Sequence, residues 1–182
     1  MFENLIKTLK KYPFYKWYMY TLPKLRYTKW YKRLKLDDHA ILLESQHGTE
    51  ISGNIFYLIK ELATNKDYAD YKIYLSCRAG TKKKFEEILK HYKIKNVIPV
   101  IVSTKAYMKA LASAKYLFND NTFLPFYLKK EGQVYLNTWH GTPLKTLGRG
   151  IKNAMHGIGN AKKNFVCADY LLYPNRYTME HM

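Results

Sequence analysis

From residue 39 onward, short apolar runs alternate with segments of helical period, and nothing else in the sequence limits the fold as much. Residues 40–43, 72–76, 97–102, 116–118, 134–136 and 170–173 read as strands. Between them, 55–63, 82–92 and 104–113 carry apolar side chains at helical spacing, 160–167 reads as a short helix, and another begins near Asn175. Strands separated by roughly 10–15 residues of helical pattern predict an α/β fold, a Rossmann-like parallel sheet with helices on both faces. Its crossovers are expected to be right-handed. A chain of 182 residues holds one sizeable domain of this kind.

Sheets so built bind ligands beyond the carboxyl ends of their strands. Three loops fall there, at 45–54, 119–122 and 137–142, and they bring Glu44, His47, Asn119, Asp120 and His140 to one rim. The third opens the run NTWHGTPLKTLG at 137–148. His140 is the group in that run able to exchange a proton near neutral pH. Gly141 lets the backbone approach a ligand, and Thr142 is placed to cap a helix that starts at Pro143. Main-chain N–H groups at such a helix start can face an anion. The run also fits a plain strand-to-helix turn, with Trp139 buried and His140 satisfied by a main-chain carbonyl. No GxGxxG or Walker loop is present, so neither a dinucleotide nor a P-loop nucleotide site is supported.

The net charge of +17 predicts attraction to a polyanion: nucleic acid, an anionic membrane or a phosphate-rich substrate. About half of it lies in residues 1–36, where ten Lys and Arg face one acid, Glu3. Pro13 and Pro23 are expected to split this segment. Phe2, Leu5, Ile6 and Leu9 fall at helical spacing, as do Tyr27, Trp30, Tyr31 and Leu34. Residues 1–38 therefore read as a basic amphipathic helical arm preceding a domain at 39–182. Trp17, Trp30, Lys29, Lys32 and Arg33 are the residues expected to meet an anionic membrane surface. An arm packed on its own domain fits the same pattern, and interleaved cations and aromatics also suit nucleic acid. Cys77 and Cys167 lie outside any metal-ligand spacing and read as reduced thiols of a cytoplasmic protein. No metal is expected.

The run at 138–148 resembles the signature of the CDP-glycerol glycerophosphotransferases, the teichoic acid primases and polymerases of Gram-positive bacteria. LLESQHGTEISGN at 42–54 is similar to that family's first-strand loop, with Glu44, Ser45, Gly48, Ser52 and Asn54 in place. AKYLFNDNTFLPFYLKKEGQVYLNTWHG at 114–141 resembles the approach to the signature. Ile55 stands where proline is common in the family. The resemblance covers about residues 40–182. It implies the N-terminal, acceptor-side half of a two-domain GT-B type transferase, with a donor-binding domain beyond these residues.

The activity it implies is transfer of a polyol phosphate from CDP-glycerol or CDP-ribitol to a lipid-linked polyprenol acceptor. Cytidine monophosphate is released, no cofactor takes part, and the work is done peripherally at the cytoplasmic face of the cell membrane. By the resemblance His140 is the catalytic base, with Asp120 orienting it or the acceptor. Gly141, Thr142 and Lys145 would meet phosphate, and Glu44, Ser45, His47 and Asn54 would line the acceptor side. Nucleic acid is then not an expected partner. Two other readings are a different GT-B glycosyltransferase domain and a non-enzymatic basic module for RNA or membrane.

Overall fold

The computed structural model describes residues 12–142 and 155–181. Lys145 and the helical spacing at residues 2–9 lie outside them. Six strands form one sheet: β1 (Asp37–Glu44), β2 (Lys72–Cys77), β3 (Val97–Ile101), β4 (Ala114–Asn119), β5 (Val134–Asn137) and β6 (Tyr170–Leu171). Their order is β3-β2-β1-β4-β5-β6, with every neighbouring pair parallel. The expected doubly wound sheet is therefore present, and its order reverses between β1 and β4.

The strands are apolar on both faces because both are covered, as parallel sheets require. Ile41, Leu43, Ile73 and Leu75 pack under α2 (Gly53–Thr64) and α3 (Lys82–His91), which contribute Ile55, Ile59, Leu62, Phe85 and Leu89 at helical spacing. Ala40, Leu42, Leu117 and Tyr135 face the other way, onto Tyr107, Met108 and Leu111 of α4 (Lys105–Ser113). Pro99 is tolerated in β3 because that strand lies at the sheet edge, where a missing N–H breaks no ladder.

Two expectations are corrected. Pro23 does not split the arm: a single helix, α1, runs Pro13–Arg33. Proline removes one helical hydrogen bond. Downstream of it, Tyr27 is fully buried, and Trp30, Tyr31 and Leu34 pack on the same cluster. The Tyr27 hydroxyl donates to the Leu128 carbonyl at 2.9 Å. Lys105 and Lys109 of α4 lie over the Trp30 ring at 5.5 and 4.8 Å, so this tryptophan is taken up by the domain. The second half of the arm is thus part of the fold, and the boundary drawn at residue 38 cuts through packed structure.

The second correction concerns the short helix read at 160–167, which begins five residues earlier and takes in His156. This is helix α5 (Met155–Cys167). The glycines there are tolerated because α5 is fastened elsewhere: buried Asn164 bonds both the N–H and the carbonyl of Phe123, at 2.8 and 3.1 Å. Lys163 donates to the Pro125 and Tyr127 carbonyls at 2.7 and 2.9 Å. A short helix, α6 (Arg176–His181), follows β6.

Candidate active site

The pairings Glu44↔Asn119 and Asn119↔Asn137 set the carboxyl ends of β1, β4 and β5 side by side. This is the point where the strand order reverses, and where a crevice opens in such sheets.

Asp120 ties two of these loops together. Its carboxylate, 3% exposed, accepts the Ser45 hydroxyl and the Gln46 N–H, both at 2.8 Å. Its main-chain carbonyl meets Nδ1 of His140 at 2.6 Å. A carbonyl can only accept, so Nδ1 carries the hydrogen and Nε2 keeps its lone pair. His140 is therefore satisfied by a main-chain carbonyl, yet the residue stays exposed, and its proton-accepting nitrogen makes no bond among the described residues. Asp120 orients this ring through its backbone, while its carboxylate fastens the β1 loop.

Trp139 backs the imidazole, its ring 4.2 Å away and tilted by 30°, and is itself half-buried against Phe165. To present it there the chain takes a left-handed turn at Trp139, with φ of 51°. Asn137 holds that turn. Its Oδ1 accepts the Trp139 N–H at 2.8 Å, and its Nδ2 donates to the Asn121 carbonyl at 2.7 Å. A β-carbon at Gly141 would meet no atom within 4 Å, so the main chain beside His140 is open to a ligand. The Thr142 hydroxyl accepts from Asn175 at 2.7 Å, and Asn54 donates to the Thr138 carbonyl at 3.4 Å.

His47 occupies the facing loop. Burial and the Arg78 guanidinium push its pKa below the usual histidine value, against the opposing pull of the Asp120 carboxylate, so the ring is neutral at pH 7. The Thr122 main chain and the His140 ring act on it more weakly.

Glu44 and Ser45, expected on the acceptor side, lie beneath the rim and not on it. Glu44 is buried, and its carboxyl accepts the Tyr107 hydroxyl of α4 at 2.9 Å. Burial pushes it up to about 7. Ser45 is equally buried, with its hydroxyl bonded to Asp120. The rim thus gathers His140, His47, Gly141, Thr142 and Asn54, supported from below by Asp120, Ser45, Glu44 and Asn137. Sequence reasoning passed over Asn137 as a support and Arg78 at the end of β2. A cation directly after a strand, at the ligand edge of the sheet, was the available signal for Arg78.

Among the described residues no three His, Cys, Asp or Glu side chains converge to hold a metal ion. A cavity of about 310 Å³ between α3 and β3, lined by Leu89, Lys93, Ile94 and Pro99 among others, lies away from the two histidines and carries none of this chemistry.

Fold and rim together define a Rossmann-like α/β domain with an imidazole-bearing site at its switch point. The chain belongs to the CDP-glycerol:poly(glycerophosphate) glycerophosphotransferase family, whose model matches residues 26–182 and so takes in the docked half of α1. It is 30% identical over 160 residues to a teichoic acid poly(glycerol phosphate) polymerase of Bacillus spizizenii, covering 81% of this chain and 37% of that one. Against a teichoic acid glycerol-phosphate transferase of Staphylococcus aureus it is 33% identical over 148 residues, 77% of this chain and 35% of the other. The chain thus spans little more than a third of the length of these relatives. Its fold matches the wall teichoic acid polymerase TagF with a TM-score of 0.70 at 23% identity, over 99% of this chain and 43% of TagF. A TagF structure soaked with CDPG matches with a TM-score of 0.69 at 22% identity, over 91% of this chain and 42% of that one.

Proposed function

We propose that the chain forms the acceptor-side half of a CDP-glycerol-dependent glycerophosphotransferase and supplies its general base. The observation that carries this reading is the bond from His140 Nδ1 to the Asp120 carbonyl, which leaves Nε2 open at the rim. The acceptor hydroxyl attacks the phosphorus that bears glycerol, and its proton passes to His140 Nε2. A bond forms from the acceptor oxygen to that phosphorus. The bond to the bridging oxygen breaks, and cytidine monophosphate leaves with it. The main chain around Gly141, with Thr142, faces the charge on the phosphoryl oxygens. Glycerol is favoured over ribitol as the transferred polyol because the named relatives are glycerol phosphate enzymes.

Incubation with CDP-glycerol and a lipid-linked acceptor tests this reading, with the chain alone and mixed with the separately produced remainder of the S. aureus relative. Release of cytidine monophosphate that His140→Ala abolishes is the expected result. Absence of release in both mixtures overturns it.

The same reading sets the protein on the cytoplasmic face of the membrane, close to its lipid-linked acceptor. Phe14, Trp17, Tyr18 and Leu25 form an exposed stripe on α1, roughly half a turn round the helix from the docked Tyr27, Trp30, Tyr31 and Leu34. Lys29, Lys32 and Arg33 are exposed on the same helix. Aromatics beside cations suit the headgroup region of an anionic membrane. Among the described residues no helix is long and apolar enough to cross one. Co-sedimentation with anionic but not zwitterionic vesicles, weakened by Trp17→Ala, is expected. Retention on RNA in place of vesicles would assign the arm to nucleic acid.

A further inference from the structure

Arg78 follows the last residue of β2 and stands next to the His47 turn without belonging to it. Its side chain is exposed but not free to wander. Nε donates to the His47 carbonyl at 3.1 Å, and the Arg78 N–H donates to the Gly48 carbonyl at 2.9 Å. Thr81 adds a bond from its hydroxyl to the same Gly48 carbonyl at 2.7 Å. With Nε anchored, the two terminal nitrogens of the guanidinium remain for a ligand, in the fork that suits a phosphate. Among the described residues Arg78 makes no ion pair, so a fixed positive charge stands uncompensated at the rim.

The turn it grips is strained. Gln46 and His47 both sit in the left-handed region, with φ of 46° and 53°. Such conformations are unfavourable for residues other than glycine and persist where surrounding bonds over-determine them. Here Asp120 holds one side and Arg78 and Thr81 the other. The strained turn brings the His47 carbonyl onto Arg78.

Arg78 is anchored on the β1 loop at His47 and His140 on the Asp120 carbonyl, so the two reach the rim from different loops. An uncompensated cation fixed on the β1 loop calls for an anion of its own, and on the reading above the anionic molecule on this side of the rim is the acceptor. We propose that Arg78, held at the His47 turn, forms a second phosphate subsite that binds a phosphodiester already present in the acceptor. Arg78 then selects acceptors that bear phosphate near the attacking hydroxyl. This inference rests on the acceptor-side assignment, and the test separates the two.

The whole chain is titrated with a short glycerol phosphate oligomer and, separately, with CDP-glycerol, following the Arg78 Nε–H resonance and the binding isotherm. Arg78→Gln is expected to weaken the oligomer about ten- to a hundredfold and to leave CDP-glycerol unchanged. Arg78→Lys, which keeps the charge but not the fork, is expected to fall between. Equal weakening of both ligands, weakening of CDP-glycerol alone, or no change in either overturns the subsite. Where cytidine monophosphate is released, the Michaelis constant for a glycerol phosphate-primed lipid should rise in Arg78→Gln, and that for the unprimed lipid should not. Oligomer binding that depends on Arg78 in a chain that never supports release keeps the subsite and removes the transfer reading. Release with no Arg78 effect does the reverse.

Discussion

The two loops that carry histidines are built on opposite plans. The β1 loop is held tightly: Asp120, Arg78 and Thr81 bond its main chain, and Gly48 presses on the end of β2, where a β-carbon would come within 3.0 Å of the Cys77 carbonyl carbon. The β5 loop is fixed at its base by Asn137 and otherwise by single bonds at the Thr138 carbonyl, the His140 ring and the Thr142 hydroxyl, with the main chain at Gly141 left open. The difference teaches a division of labour. A rigid loop with a neutral imidazole suits recognition, whereas an exposed ring with one free nitrogen suits proton transfer.

The largest expected effect tests that division directly. His140→Ala should lower kcat by about 10²–10⁴ in a preparation that turns over, as loss of a general base does. His47→Ala should act on the acceptor Michaelis constant, by no more than about tenfold, with kcat nearly unchanged. Equal losses of kcat in both variants would erase the contrast.

Gly48→Ala compares the loops in stability. A side chain there must adopt a φ of 76° and push on the β2 backbone, so a loss of about 2–5 kcal/mol is expected. Gly141→Ala meets no neighbour and should lose only about 1–2 kcal/mol, the backbone part alone. Urea unfolding of both variants gives the comparison, and a larger loss at Gly141 would contradict it.

Beneath the rim, Glu44 makes a pH prediction. Its carboxyl is raised from 4.5 to about 7 in the folded state, so the proton favours folding. The contribution is complete below pH 4.5 and is lost as pH rises through about 7, a change of about 3 kcal/mol. Glu44→Gln keeps an acceptor for the Tyr107 hydroxyl and should flatten this part of the stability–pH curve. An unchanged slope would mean that Glu44 is not the group responsible.

The smallest effect belongs to Asp120→Asn. Because His140 is held by the Asp120 main chain, the substitution should lower stability by about 1–2 kcal/mol, through the Ser45 and Gln46 bonds, and kcat by less than about tenfold. A fall in kcat as large as that of His140→Ala would mean that the carboxylate serves the reaction directly.

The sheet was legible because parallel strands covered on both faces leave apolar runs at helix-length intervals, and the rim followed from their order. What sequence could not supply was the direction of individual groups. Glu44 ends a strand whose residues are apolar on both sides, so no alternation told that it continues the Ala40 and Leu42 face toward Tyr107. An Asp near a His suggests a carboxylate–imidazole pair, and only the backbone path shows that the carbonyl makes the contact. Pro23 reads as a break because its penalty is local, whereas the docking of Tyr27 that outweighs it comes from residues 123–128, far along the chain.

The most direct test of the account is the tautomer of His140, read from the two ring ¹⁵N resonances of the assigned protein at mildly alkaline pH. A protonated Nδ1 and a bare Nε2 are expected, with exchange at Nε2 quenched when acceptor is added. A proton found on Nε2 would leave no base at the rim and would contradict the mechanism.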